Sequence, residues 1–130
     1  MHIDEDVFGE WVSEAVELLP RRFREALENI VIDVEEQPSR ETLRRMRTRR
    51  SELLLGLYVG VPLTERTHEY GSYGALPDRI VLYKRNIEEV AETHEEVRQE
   101  VALTLLHEVG HYFGMTEAQL AEFELLEPKE

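Results

Sequence analysis

The sequence predicts a single α+β domain over residues 1–130, with helices at both ends and strands between them. Apolar residues recur at helical spacing near the start of the chain and again from Glu95 to Phe113. Three runs between these two stretches have the composition of strands. A chain of 130 residues is long enough to bury one core of ordinary size.

The composition limits the class of protein and the kind of site. Hydrophobic residues make up 42% and charged residues 33% of the chain, as in soluble globular proteins. No apolar run approaches the roughly 18 residues of a membrane span, and the acidic start, Met1 to Asp6, lacks the basic and apolar regions of a signal peptide. We therefore expect a cytoplasmic protein with no membrane partner. Because there is no cysteine, a metal would have to be bound by His, Asp or Glu.

The first segment reads as two helices and a strand. A helix is predicted from about Asp4 to Leu19, with acidic residues at its N-terminus, where they complement the helix dipole. Pro20 ends it or opens the next turn, and a short helix is predicted from Arg21 to Glu28. The alternating, β-branched run Ile30 to Val34 is predicted to be the first strand.

An arginine-rich segment then interrupts an otherwise acidic chain. The net charge of −13 argues against general nucleic-acid binding, because phosphate contacts need a basic surface. Ser39 can cap a short helix at the start of the segment. We favour a solvated surface that pairs with the acidic helices over a clamp for anionic substrate or RNA. The arginines concerned are Arg40, Arg44, Arg45, Arg47, Arg49 and Arg50.

Two further strands and a loop follow. Leu53 to Val61 is apolar on both faces, as a central strand would be, and its glycines could mark a bulge or a close approach of another backbone. Arg79 to Lys84 is predicted to be another strand. Between them, residues 64–77 form a predicted loop of the length that often carries function, with His68, Tyr70 and Tyr73 in it. We expect His68 to be a surface residue; a ligand or catalytic role is the alternative.

The long helix near the end of the chain has a clear start. Ile87 to Thr93 is predicted to be a short acidic helix leading into it. Thr93 and Glu96 have the spacing of a capping box. The apolar stripe of the helix that follows comprises Val97, Val101, Ala102, Leu105, Leu106, Val109 and Phe113.

The opposite face of this helix carries the motif H-E-x-x-H. His107 and His111 are four residues apart, so both imidazoles lie on one face at the spacing that binds one Zn²⁺. Glu108 is positioned to act as general base on a zinc-bound water. The alternative, a solvated helix that happens to carry these residues, leaves the spacing of Gly114 and Glu117 after the motif unexplained.

The residues after the motif offer a third ligand. Gly114 fits a helix C-cap that turns the chain sharply, and Thr116 can cap a last helix that runs through Leu126. Glu117, in the first turn of that helix, could bring its carboxylate back towards the histidines. Alternatively it only complements the helix dipole, and the third ligand is Glu124 or water.

The motif from His107 to Glu117 resembles the elongated H-E-x-x-H-x-x-G-x-x-H/D of metzincin-type sites. More widely, the stretch from Leu53 to Leu120 resembles the minimal zincin-like family, small bacterial proteins grouped as possible zinc metallopeptidases. Besides the motif, the segments that carry this resemblance are Leu54-Leu55-Gly56-Leu57-Tyr58, Gly60-Val61-Pro62-Leu63-Thr64-Glu65-Arg66, Tyr70-Gly71 and Leu76-Pro77-Asp78-Arg79-Ile80.

The resemblance implies a zincin-like fold, in which a small mixed sheet of three or four strands packs on helices beside the motif helix. It implies Zn²⁺ bound by His107, His111 and the acidic residue at position 117, with Glu108 catalytic. Position 117 is Glu here, whereas the family mostly has Asp, so the extra methylene must be absorbed by the backbone or by the mode of binding.

We therefore expect a zinc-dependent metallopeptidase that acts on a peptide or protein substrate. Tyr70 or Tyr73 could donate a hydrogen bond to the oxyanion, and either Arg79 to Lys84 or Leu53 to Val61 could pair with an extended substrate. The first alternative is a metal-binding regulatory or interaction module without effective turnover. The second is a hydrolase that acts on RNA through the arginine-rich segment.

Overall fold

The computed structural model describes residues 1–46, 53–60 and 78–120 of the chain. The first helix, α1, spans Glu5–Leu18, and the Asp4 side chain caps it by accepting a hydrogen bond from the Asp6 backbone N–H. Helix α2 spans Arg21–Ala26 and continues as a 3-10 turn, Leu27–Asn29. Both predicted helices are confirmed.

Three strands form a mixed sheet. Strands β1 (Ile30–Glu35), β2 (Gly56–Val59) and β3 (Asp78–Tyr83) lie in the order β1-β3-β2. Strand β3 is parallel to β1 and antiparallel to β2. A small mixed sheet with helices confirms the predicted α+β class.

The prediction that the leucine-rich run is the central strand was wrong. Within the described residues β3 is central, with four consecutive buried residues at its end, whereas β2 lies at an edge and its Val59 is 42% exposed. The strand is also shorter than predicted, because residues 53–55 precede it without regular structure. The run is apolar on both faces for another reason: Leu54 and Leu57 line a cleft beside the motif helix.

The arginine-rich segment begins with a short helix, as predicted. Helix α3 spans Arg40–Arg45, and the Ser39 side chain accepts a hydrogen bond from the Thr42 backbone N–H. The three arginines of α3 are exposed, and Arg45 lies 3.9 Å from Glu41 of the same helix. This fits the solvated-surface interpretation for α3; the other arginines, Arg47, Arg49 and Arg50, lie outside the described residues.

Helix α4 spans Lys84–Val90, so the predicted helix from Ile87 to Thr93 had both ends wrong. The helix starts earlier than predicted because Lys84 is its first residue and is buried, whereas the prediction placed it at the end of a strand. Its side chain is only 2% exposed, and its Nζ lies 2.7 Å from Oε2 of Glu88, one helical turn later. Such an ion pair requires a helix over these residues.

Helix α5 spans His94–Tyr112 and carries the motif. Its capping box is confirmed: Thr93 accepts from the Glu96 backbone N–H, and the Glu96 side chain accepts from the Thr93 backbone N–H. The helix packs against α1 and against β2 and β3. The buried residues of its apolar stripe are Val97, Val101, Leu105, Leu106 and Val109.

The core lies between these helices and the sheet, and it continues through the N-terminal elements. Within the described residues, no helix combines the length and apolarity that a membrane crossing requires. The apolar side chains of α1 and α5 instead contribute to the core on one face of each helix. Core residues outside α5 include Ile3, Phe8, Val12, Phe23, Leu27, Ile80, Leu82 and Ile87.

The Lys84–Glu88 pair is buried in this core. The Glu88 carboxylate, 6% exposed, also accepts a hydrogen bond of 3.0 Å from the Ile3 backbone N–H. Burial acts to raise the pKa of Glu88, but the hydrogen bonds from Lys84 and Ile3 outweigh it, so this pKa is lowered from its ordinary value of 4.5. The folded state therefore favours the charged carboxylate.

We expect Glu88→Gln to lower the free energy of unfolding by about 3–5 kcal/mol, because it leaves Lys84 buried without its counter-charge. The lowered pKa means that the contribution of Glu88 is present above pH 4.5 and is lost as the pH falls through the folded-state pKa. Urea unfolding at neutral pH and at a series of acidic pH values measures both effects.

The matched control is Glu14→Gln. Glu14 binds Arg98 of α5 from α1, but both side chains are more than a third exposed, so the loss should be about 0–1 kcal/mol. Equal losses in the two variants would contradict a special role for the buried pair.

Candidate metal centre

The last turns of α5 bring the three residues of the motif together. Potential ligand atoms of His107, Glu108 and His111 all lie within 4.8 Å of one another. The two imidazole rings are 4.8 Å apart between centroids, and their side chains are 32% and 40% exposed. The histidines thus share one face of α5 that is open to a cleft, while the opposite face lies in the core.

The carboxylate of Glu117 reaches the same point from the next turn of the chain. Its Oε1 atom lies 3.4 Å from Nε2 of His107 and 3.7 Å from Nε2 of His111. The predicted reversal of the chain after the motif is therefore observed. That Glu117 binds a metal there stays a prediction.

The reversal is a Schellman motif at the end of α5. Gly114 has a φ of 73°, a conformation that glycine adopts without strain. Its backbone N–H donates to the His111 carbonyl at 2.9 Å, and the Met115 N–H donates to the Gly110 carbonyl at 3.0 Å. These two bonds turn the chain back along α5, so the residues that follow lie beside the histidines.

A further helical turn, residues 117–120, begins directly after the reversal. Thr116 and Gln119 cap it reciprocally: the Thr116 hydroxyl accepts from the Gln119 backbone N–H at 3.1 Å, and the Gln119 amide oxygen accepts from the Thr116 N–H at 2.8 Å. The cap predicted at Thr116 is confirmed. The rest of the helix predicted through Leu126 lies outside the described residues, and so does Glu124.

Glu108 occupies a different environment from Glu117. It is 8% exposed, and burial raises its pKa to about 7, although the charge of His107 and a hydrogen bond from the Tyr58 backbone N–H act in the opposite direction. Burial also lowers the pKa of His111, with a further contribution from the charge of His107. The site therefore favours a neutral imidazole at His111, the form that binds a metal.

The closeness of β2 to α5 depends on Gly56. A Cβ at Gly56 would lie 2.7 Å from Cγ2 of Thr104 and 3.3 Å from Cγ of Glu108, so a larger residue would push the strand away. Of the two alternatives considered from the sequence, a bulge or a close approach of another backbone, the structure fits the close approach, since the same Cβ would lie 3.1 Å from the Val81 carbonyl oxygen. The approach is what allows the Tyr58 N–H to reach Glu108.

Two recesses open on either side of His107 and Glu108. The first, of about 380 Å³, is lined by Leu54, Leu55 and Leu103, with Glu100 and Thr104 on the same side of α5. The second, of about 390 Å³, runs past His111. Its other lining residues include Met46, Leu57, Tyr58 and Gly60.

The other sequence candidates are distributed as follows. His94 is the first residue of α5, in edge contact with Trp11, and it is not part of the site. His68, Tyr70 and Tyr73 lie outside the described residues. The sequence analysis missed Leu103, which could have been noticed as an apolar residue outside the apolar stripe of α5. It also missed the Tyr58 N–H, which no sequence pattern indicates.

The donor set fits a zinc ion. Two imidazole nitrogens and the Glu117 carboxylate converge on one point, and Zn²⁺ accepts such N/O ligands while keeping one position for water in catalytic sites. The groups around this point would balance the charge of a cation, since two of them are carboxylates, Glu108 and Glu117.

Comparisons with known proteins agree with this geometry. A family model described as Zincin-like metallopeptidase matches residues 27–126, well over half of the chain. A conserved hypothetical protein from Thermus thermophilus has a similar structure, with a TM-score of 0.57 and 26% sequence identity over 85% of this chain and 94% of that one. No curated protein matches the chain.

The third ligand can be tested by zinc affinity. We expect Glu117→Gln to weaken zinc binding by at least the roughly 10–100-fold that is typical when an outer-shell partner of a metal ligand is lost. Competition with a chromogenic chelator measures the affinity. The control is Glu124→Gln, which should bind zinc like the unchanged chain; the opposite pattern would transfer the ligand role to Glu124.

Proposed function

The chain belongs to the zincin-like metallopeptidase family, and we propose that it is a zinc-dependent peptidase whose general base is Glu108. One observation carries the proposal: two imidazoles and the Glu117 carboxylate converge beside a second, buried carboxylate. A purely structural metal site would have no need of that second group.

His107, His111 and Glu117 are the residues that would bind the metal in this proposal. Zinc, when bound, polarises the scissile carbonyl and makes water more acidic. Glu108 takes the proton from the attacking water and passes it to the leaving nitrogen, so one carboxylate serves both halves of the hydrolysis. Burial raises the pKa of Glu108 above its ordinary value, which strengthens the carboxylate as a base for this exchange.

The Tyr58 backbone N–H has a positioning role in this scheme. It donates a hydrogen bond to the Glu108 carboxyl, which restricts the rotation of that side chain. The carboxyl then keeps one oxygen for the backbone and the other for the water. Tyr70 and Tyr73 remain our candidates for oxyanion donors.

The sheet supports one path for an extended substrate. Strand β3 is hydrogen-bonded to β1 on one side and to β2 on the other, so it has no edge to offer. Of the two strands considered from the sequence, this leaves β2, to whose other edge no further strand of the described residues is hydrogen-bonded. A peptide added there would run past Glu108, because β2 lies against that part of α5.

The leucine-lined recess beside His107 suits an aliphatic side chain of that peptide. Leu103 is 47% exposed, one turn before His107, and it faces Leu54 and Leu55 across the recess. The carboxylate of Glu100 on the same wall disfavours an acidic side chain. Because His107 and Glu108 line the recess, its occupant adjoins the bond to be cleaved.

We expect Glu108→Gln to lower kcat on a mixed peptide library by about 10²–10⁴-fold, because the amide cannot take the proton. Zinc content should not change. The matched control is Glu95→Gln, an exposed carboxylate in the first turn of the same helix, which should keep full activity. Absence of turnover from the unchanged, zinc-loaded chain would instead favour the non-catalytic metal-binding module.

Substrate preference gives a second test. Peptides with Leu beside the cleaved bond should have a kcat/KM about 10-fold higher than peptides with Ala there, and Leu103→Asn should remove most of the difference. Leu18→Asn is the control, since Leu18 is 58% exposed on α1, away from the recess. A preference that survives Leu103→Asn would contradict this role for the recess.

A further inference from the structure

The helical turn that carries Glu117 is anchored to α5 through one of its residues. Of residues 117–120, the first three are exposed, and Leu120 alone is buried, at 1% exposure. Glu117 and Leu120 are three residues apart, so they lie on the same side of this turn. Whatever fixes Leu120 therefore fixes the position of the backbone that carries Glu117.

Leu120 is seated on Gly110. A Cβ at Gly110 would overlap with Cδ2 of Leu120 and would also lie 3.1 Å from its Cγ, which is tighter than ordinary packing. Gly110 stands between the two histidines in sequence, and it is three residues after His107, so it belongs to the same side of α5. The glycine thus makes a depression in the histidine-bearing face, and the leucine fills it.

We propose that the contact between Gly110 and Leu120 positions Glu117 as a metal ligand. The Glu117 side chain is 72% exposed, so its own packing contributes little to its position. The Schellman motif turns the chain back, and the leucine in the glycine depression sets how far the turn lies from the histidines. The inference rests on the proposed role of Glu117 and on no catalytic step.

Leu120 can pack this close to α5 only because Gly110 has no side chain. Gly110 and Leu120 are thus positioning residues: they act on zinc through Glu117.

The test is a double-mutant cycle on zinc affinity with Gly110→Ala and Glu117→Gln. Alone, Gly110→Ala should weaken zinc binding by about 10–100-fold, the range expected when the support of a ligand is lost. In the Glu117→Gln background it should have little further effect, because the ligand that it displaces is already gone. Competition with a chromogenic chelator measures all four affinities without a substrate.

The matched control is Gly9→Ala. Gly9 is an exposed glycine inside α1, and a Cβ there would meet no other atom within 4 Å. The two substitutions make the same change in helix propensity, so thermal unfolding of both variants separates effects on the fold from effects on zinc. Gly9→Ala should leave zinc affinity unchanged.

The outcomes separate this inference from the peptidase proposal. Unchanged zinc affinity in Gly110→Ala would overturn the inference, because the substitution would then not affect the metal site. An equal loss of affinity with and without the Glu117 carboxylate would also overturn it, because the substitution would then act through the histidines. No effect of Glu117→Gln would overturn it as well. If the effects of the two substitutions on zinc affinity are coupled but the chain cleaves no peptide, the positioning role of Gly110 and Leu120 is supported and the peptidase proposal is contradicted.

Discussion

The burial of one face of α5 is the constraint on which the candidate site depends. Val97, Val101, Leu105 and Val109 are fully buried, so any rotation of the helix about its axis would expose several of them at roughly 1.5–3 kcal/mol each. With 3.6 residues per turn, fixing that face also fixes the direction in which the motif points. The two imidazoles therefore stay on one side of the helix, and the helix can present them to a cleft.

The parts of the fold that could be predicted from the sequence are those with local causes. The caps at Ser39 and Thr93 involve residues within one turn of each other, and both are observed. Strand order and the start of α4 could not be predicted, because they depend on partners distant in sequence or on burial. A lysine normally indicates a surface position, and only the buried pair with Glu88 reveals why Lys84 begins a helix.

The candidate site divides in the same way. The histidines and Glu108 follow from spacing on one helix, and the return of Glu117 follows from a glycine at the C-cap, which is again a local signal. The groups that support them come from elsewhere: the Tyr58 N–H from an edge strand, and Leu120 from the turn beyond the reversal. Neither forms a sequence pattern, since each acts through a close approach whose distance only the folded chain defines.

The two carboxylates of the site illustrate how environment divides roles between chemically identical groups. Glu108 is enclosed between α5 and β2, where burial raises its pKa above the ordinary value, the direction that suits its proposed role as a base. The Glu117 side chain is 72% exposed, so its carboxylate is accessible to a cation, as its proposed role as a ligand requires. Under this proposal, the difference between the two environments depends on Gly56, which lets β2 enclose Glu108, and on Gly110, which leaves room for Leu120 beside α5.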